Sequence, residues 1–188
     1  MSIVTKKGDG GYTGLPGSGN SHNESRRVRK DDPYIECLGT LDELDAFLAQ
    51  SEIALKAEGN IQFSEIIGKA RKDLLTLIIP AITESFSGET TSAEIQPATE
   101  WLEQQISFLE KKTEVRDFIF SWTKPTSVSL NISRTVCRRC ERCMVNALAD
   151  NSGKTEKPVM LPWINRLSDL LFLLAVSVTQ LHNGPQLF

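Results

Sequence analysis

Apolar residues recur at helical spacing along most of the chain. Leu38, Leu41, Leu44, Leu48 and Leu55 form one stripe. Asp32 followed by Pro33 is a helix start, with the carboxylate as cap and the proline in the first turn, so a helix is predicted from Pro33 to about Ala57. Thr40 with Glu43 offers a later capped start, and Gly39 suits a close helix crossing. Asp42 and Asp45 lie three apart beside the stripe, available to arginines of a neighbouring helix. From Ile61 to Ser85, Ile66, Ile67, Ala70, Leu74, Leu75, Leu77, Ile78 and Ile82 repeat the period, with a kink or break expected at Pro80. A loop is predicted from Ser87, and Pro97 to Lys112 carries Trp101, Leu102, Ile106 and Leu109 on one side. The stretch from Asp117 to Pro125 reads as a short aromatic connection, whose Phe118, Phe120 and Trp122 suit the end of a bundle. Helices follow at about Thr126 to Asp150 and Leu161 to His182, the second being the most apolar. With five helical segments and no convincing strand, the prediction is an all-α bundle joined by short loops.

The fourth of these helices differs from an ordinary surface helix. At about 100° per residue, Arg134, Arg138, Glu141 and Arg142 fall within one arc, with Arg139 at its margin. Val136, Cys137, Cys140, Met144, Ala147 and Leu148 fall on the opposite side. A solvated face usually mixes lysine with glutamate, whereas this one uses only arginine, whose planar fork suits phosphate and buried carboxylate. A salt-bridge ladder remains the plain alternative. On the fifth helix, Asn165, Arg166, Ser168 and Asp169 form a polar island before a buried run. Such groups cost stability unless satisfied, so they are expected to face a site or a subunit contact.

Composition narrows the field. The chain has 188 residues, a net charge of −3 and a pI near 5.5. That balance argues against a general nucleic-acid binder, so any positive patch should be local and aimed at a small anion. No apolar run is expected to reach the length needed to cross a bilayer, and the N-terminus lacks a secretory pattern, which points to a cytoplasmic protein without membrane partners. Cys137, Cys140 and Cys143 are spaced as C-x-x-C-x-x-C, but thiolates on a continuous helix diverge, so they are expected to pack between helices instead of ligating metal. The two histidines, His22 and His182, lie outside the central helices, which excludes the Glu-x-x-His pairs of a di-iron bundle and any Ser-His or Cys-His nucleophile.

Residues 1–32 are read as an irregular segment of the same domain as the bundle, 33–188. Much of it has the composition of a loose tail. Thr5, Lys6, Gly8, Asp9, Gly11 and Thr13, however, crowd glycines, hydroxyls and cations together, a mixture whose backbone N–H groups can wrap an anion. A basic knot, Arg26 to Lys30, follows.

Three separated segments, T5-x-x-G-D-x-G-x-T13, R134-T-V-C-R-R-C-E-R142 and N165-R-L-S-D169, resemble in order and spacing the three motifs of the PduO-type ATP:cob(I)alamin adenosyltransferases. V28-R-K-D-D-P and G39-T-L-D-E-L resemble that family's connecting segments, so the likeness covers nearly the whole chain. The resemblance implies a five-helix, ferritin-like bundle that forms a homotrimer, with ATP held between one subunit's N-terminal loop and its neighbour's arginine helix. It implies transfer of the 5′-deoxyadenosyl group of ATP to cob(I)alamin with release of tripolyphosphate, Mg2+ accompanying the ATP. A cobalamin reductase or an adenosylcobalamin-dependent client enzyme would be the expected partner. By the same resemblance Thr5, Lys6, Gly8, Asp9, Gly11, Thr13 and Lys30 belong to the ATP loop, and Arg138, Glu141, Arg142 and Asn165 to the ATP site. Asp42 and Arg134 match an ion pair between subunits near the corrinoid, and Phe118 a phenylalanine that keeps the lower axial ligand off cobalt. The chain departs from the family where Ser121, Trp122 and Thr123 replace a usual P-G-G and where Asp45 replaces a usual asparagine. Those departures leave a second reading open, a catalytically weakened ATP- or corrinoid-binding sensor or carrier.

Overall fold

A computed structural model describes residues 4, 6–14, 27–87, 93–113, 122–149 and 159–180. Two strands, β1 (Tyr12–Gly14) and β2 (Arg27–Arg29), pair antiparallel with Thr13 opposite Val28. They correct the expectation that no strand would form: three-residue strands are too short for an apolar alternation to announce them. Val28 is half-buried against the core and anchors the hairpin to the bundle.

The helices are α1 (Pro33–Ala57), α2 (Ile61–Asp73), α3 (Ile79–Ser87), α4 (Ile95–Glu110), α5 (Pro125–Leu148) and α6 (Met160–Gln180). A π-turn, Leu74–Ile78, runs α2 into α3, so the described residues form five helical rods. The kink or break expected at Pro80 takes the form of a widened turn just before it. Pro80 has no N–H to give to the Thr76 carbonyl and its ring crowds that group. In the π-turn the Ile79 N–H reaches Leu74 O, one residue farther back than in an α-helix, and the rod continues.

The start of α1 is as predicted: Asp32 accepts a hydrogen bond from the Tyr34 N–H at 2.9 Å. Its end is set by Gly59, whose φ of +78° is the left-handed conformation that lets the Asn60 N–H return to Leu55 O at 2.9 Å. Thr40 lies inside α1, its hydroxyl donating to Glu36 O. Gly39 faces open space instead of a crossing helix.

α5 is packed on one side by α1 and on the other by α6, while α2 covers α1 and α4 covers α6. The α1–α5 seam is polar at its centre. Ser51 shares hydrogen bonds with Ser129 at 2.9 Å and Ser133 at 3.0 Å, and Ser133 also donates to Phe47 O. All three are buried, and their small size brings the two helices close. Asp45 finds an arginine, as its position suggested: Arg71 of α2 donates to it at 2.7 Å. One helix, α6, is in fact long and apolar enough to cross a bilayer, contrary to the sequence reading. In the bundle it packs between α5 and α4, with 67% of its apolar window buried.

Cys37, Cys137 and Cys140 are fully buried, and Cys143 is half-buried. Cys140 donates to Thr40 O and Cys137 to Ile164 O. Burial pushes the Cys37 thiol up to about 12, and the Cys137 and Cys140 thiols are raised by the same cause. Because the thiolate is the reacting species, native protein at neutral pH should release colour from a disulfide reagent at Cys143 alone, and at all four cysteines once unfolded. Four reactive thiols in the native state would contradict this packing.

Candidate functional site

The α5 start is fixed by Pro125 and by Ser127, whose hydroxyl accepts from the Lys124 N–H and donates to Lys124 O at 2.9 Å. From there the buried Val136, Cys137, Cys140 and Met144 turn the arginine arc outward. Arg134 and Arg138 line a cleft of about 630 Å³ between α4, α5 and α6, together with Asp169, Phe172 and Glu110. Arg134 is half-buried and, among the described residues, donates only to Asn131 Oδ1, at 2.9 Å. Burial, then the neighbouring Arg138 charge, holds its pKa below the usual arginine value. The Arg138 guanidinium is exposed and has no hydrogen bond or ion pair among the described residues. Arg142 reaches back to the Arg138 carbonyl at 3.0 Å. Arg139, on the margin, is the exception and pairs with Glu43 of α1.

This is not a salt-bridge ladder. The only acid of the arc, Glu141, is taken by α6: Asn165 Nδ2 donates to Glu141 Oε1 at 3.0 Å. Asn165 Oδ1 in turn accepts from Arg166 at 2.8 Å, and Arg166 donates to Glu103 of α4 at 3.0 Å. Ser168 donates to Asn165 O. Asp169 lies 3.7 Å from Arg166, and burial raises its carboxyl pKa against the opposing pull of that arginine. The polar island on α6 is therefore satisfied internally, and it leaves Arg134 and Arg138 without a carboxylate at bonding distance.

The N-terminal turn is built by the hairpin. The Lys30 N–H donates to Gly11 O at 2.9 Å and the Gly11 N–H to Gly8 O at 3.2 Å. Arg27 clamps the outside, donating to the carbonyls of Lys7 and Tyr12. Lys30 consequently reaches over the turn: a Cβ on Gly8 would lie 3.2 Å from its Nζ. Gly11 at φ +78° needs glycine, and Lys6 holds φ +58°, a strained value of the kind found in binding loops. Lys6, Asp9 and Lys30 are exposed, and Gly8 and Thr13 half-buried.

Of the predicted residues, then, the structure gathers Arg134, Arg138, Glu141, Arg142 and Asn165 along α5 and α6, and Lys6, Gly8, Asp9, Gly11, Thr13 and Lys30 in one hairpin. Among the described residues no hydrogen bond or ion pair joins the two groups. Asp42 is exposed on α1 and has no ion pair with Arg134 within the chain. Thr5 and Phe118 lie outside the described residues. Sequence reasoning missed Phe172, hidden in the apolar run of α6, and Glu103, one acid among many on α4. Trp122, half-buried, stands edge-on to Phe172 with ring centroids 6.4 Å apart. The described residues hold no cluster of acids, cysteines or histidines fit to bind a metal.

Fold and site together define an all-α bundle with a row of arginines on α5 and a cleft walled by Phe172. Residues 3–178 match the family described as Cobalamin adenosyltransferase, and the chain belongs to that family of transferases. The corrinoid adenosyltransferase PduO of Citrobacter freundii is 32% identical over 186 residues, covering 93% of this chain and 49% of that protein, so the chain spans about half its length. The corrinoid adenosyltransferase of Bacillus subtilis is 29% identical over 185 residues, covering 93% of this chain and 85% of the relative. Among solved structures, a variant PduO-type ATP:corrinoid adenosyltransferase from Lactobacillus reuteri complexed with cobalamin and ATP has a TM-score of 0.66 at 26% identity, covering 98% of this chain and 97% of that one.

Proposed function

We propose that the chain transfers the 5′-deoxyadenosyl group of ATP to the cobalt of cob(I)alamin. The observation that carries this reading is the Arg134–Arg138 pair, left without carboxylate partners in a cleft walled by Phe172, in a chain that matches the family over 3–178. In the reaction the cobalt electron pair forms the bond to C5′, and the bond from C5′ to the α-phosphate oxygen breaks, its electrons leaving on tripolyphosphate. Cobalt is the nucleophile, so the step calls for no protein base. What the leaving group needs is fixed positive charge, which Arg138, Arg142, Lys6 and Lys30 supply, with the N–H groups of the Gly8 to Gly11 turn. Asn165 and Glu141 hold the nucleoside end in this assignment.

The two halves of the site are brought together by a neighbouring subunit: the hairpin of one chain closes over the arginine face of the next in a homotrimer. The same contact gives the free Asp42 carboxylate a partner in Arg134. Mg2+ fits as a companion of ATP and not as a resident ion, since it keeps much of its water and is satisfied by phosphates with one or two carboxylates. When bound it would neutralise phosphate charge. Phe118 is assigned to the corrinoid side. The segment 1–32 works as part of the bundle domain, in the cytoplasm, with a cobalamin reductase or client enzyme as the partner that supplies or takes the corrinoid.

The edge-on Trp122–Phe172 pair, at the segment that departs from the family pattern, favours one alternative, a weakened binder that acts as sensor or carrier. Anaerobic spectroscopy with ATP, magnesium and chemically reduced cobalamin separates the two. Appearance of the adenosylcobalamin spectrum over many turnovers is expected. Stoichiometric binding without product would establish the carrier instead.

A further inference from the structure

Arg166 belongs to neither half of the proposed site: it does not line the cleft, yet it ties α4 to α6 and, through Asn165, to α5. Its Nε donates to Glu103 of α4 at 3.0 Å, one terminal nitrogen donates to Asn165 Oδ1 at 2.8 Å, and Asp169 lies 3.7 Å away. We propose that Arg166 is a positioning residue, anchored by Glu103, that fixes which way the Asn165 amide faces and through it the Glu141 carboxylate. The inference rests on the assignment of Asn165 and Glu141 to the ATP site.

The chemistry of an amide makes the argument. Oxygen and nitrogen at the end of asparagine are nearly the same size, so packing alone does not choose between two orientations. Arg166 can only donate and a carboxylate can only accept. With the oxygen toward Arg166, the amide N–H lands on Glu141 at 3.0 Å. Turned over, it would set N–H against guanidinium N–H and oxygen against carboxylate, losing both bonds. Asn165 is thereby held from both sides, and one Glu141 oxygen is committed before ATP arrives. Glu103 supplies the second constraint, since a guanidinium fork gripped at Nε cannot swing away from the amide. The order is α4 to α6 to α5: Glu103 holds Arg166, Arg166 holds the Asn165 oxygen, and the Asn165 amide N–H holds Glu141.

Full-length protein is titrated with ATP by calorimetry, assayed for adenosylcobalamin, and melted. Arg166→Ala should weaken ATP binding and raise the ATP KM about tenfold, while the corrinoid KM moves less than about twofold and kcat at saturation is largely kept. On an Asn165→Ala background the same substitution should cost less than about twofold, because a residue acting through Asn165 has nothing left to act on. Arg166→Lys, which keeps one donor for the amide, should recover part of the loss. Should Arg166→Ala fail to fold, Glu103→Gln serves, removing the anchor's charge from an exposed position, with an expected two- to threefold rise in the ATP Kd. Three results overturn the proposal: unchanged ATP affinity in whichever variant folds, a lowered melting temperature with unchanged ATP affinity, or full additivity with Asn165→Ala. A wild-type chain that binds ATP but makes no cobalt–carbon bond would sink the adenosyltransferase reading instead and leave the affinity test of Arg166 intact.

Discussion

Arg138→Ala is expected to lower the rate of cobalt–carbon bond formation about 10³-fold, the scale seen when one fixed donor to a developing anion is removed. The reason is the absence of competition for its guanidinium. No carboxylate of the described residues pairs with Arg138, so its guanidinium is open to a triphosphate. Arg139, by contrast, is paired with Glu43, and Arg142 gives one nitrogen to the Arg138 carbonyl, so neither takes up the same position when Arg138 is lost. The fold should be largely unaffected, since the side chain is exposed and its guanidinium has no hydrogen bond or ion pair among the described residues. Circular dichroism and the melting curve should therefore match wild type while turnover collapses. Arg138→Lys should fall between, because an ammonium keeps the charge but not the two-pronged grip. An Arg138→Ala protein turning over at the wild-type rate would remove the arginine helix from the mechanism.

The second large effect is a rescue. If the hairpin of one subunit serves the arginine face of another, then Asp9→Ala and Arg138→Ala damage opposite sides of a shared site. Each variant alone should be close to inactive. Denatured together in equal amounts and refolded, they should form mixed trimers in which about a quarter of the sites pair an intact hairpin with an intact arginine, and activity should return to about that fraction. Light scattering on the same sample should give three times the 20.9 kDa chain mass. Each variant refolded by itself is the control. No recovery from a verified mixed trimer would mean that both residues act within one chain, and the hairpin would have to fold onto its own α5.

Much of this was legible in the residues, and the reasons differ by element. The start of α1 is announced by Asp32 and Pro33 because capping is a local interaction, and it falls where expected. The two faces of α5 are legible because 3.6-residue periodicity is a property of one helix. The pairing of Glu141 with Asn165 is not, since it depends on how α5 meets α6. Sequence reading picked both residues but could not join them, nor see that Arg166 and Glu103 complete the chain. The hairpin was missed as secondary structure although its residues were singled out for their chemistry: strands of three residues leave glycine content, not alternation, as the visible signal. Pro80 signals a kink or break because proline lacks the helix donor, but the sequence does not say which, and the π-turn upstream absorbs the missing donor. The apolar length of α6 has the same ambiguity, because a wholly buried core helix and a bilayer-spanning one share a composition.

The hydroxyl knot of Ser51, Ser129 and Ser133 has a bearing on aim. A helix seated only by leucines can roll or slip against its neighbour at modest cost, because greasy contacts are tolerant of direction. Here each slip by one residue would turn α5 about 100° about its axis, part all three oxygens without water to replace them, and carry the guanidinium row off the α4–α6 side. The seam thus acts as a key in a shaft, and it allows the outward-facing cations to stand unbraced while still pointing one way.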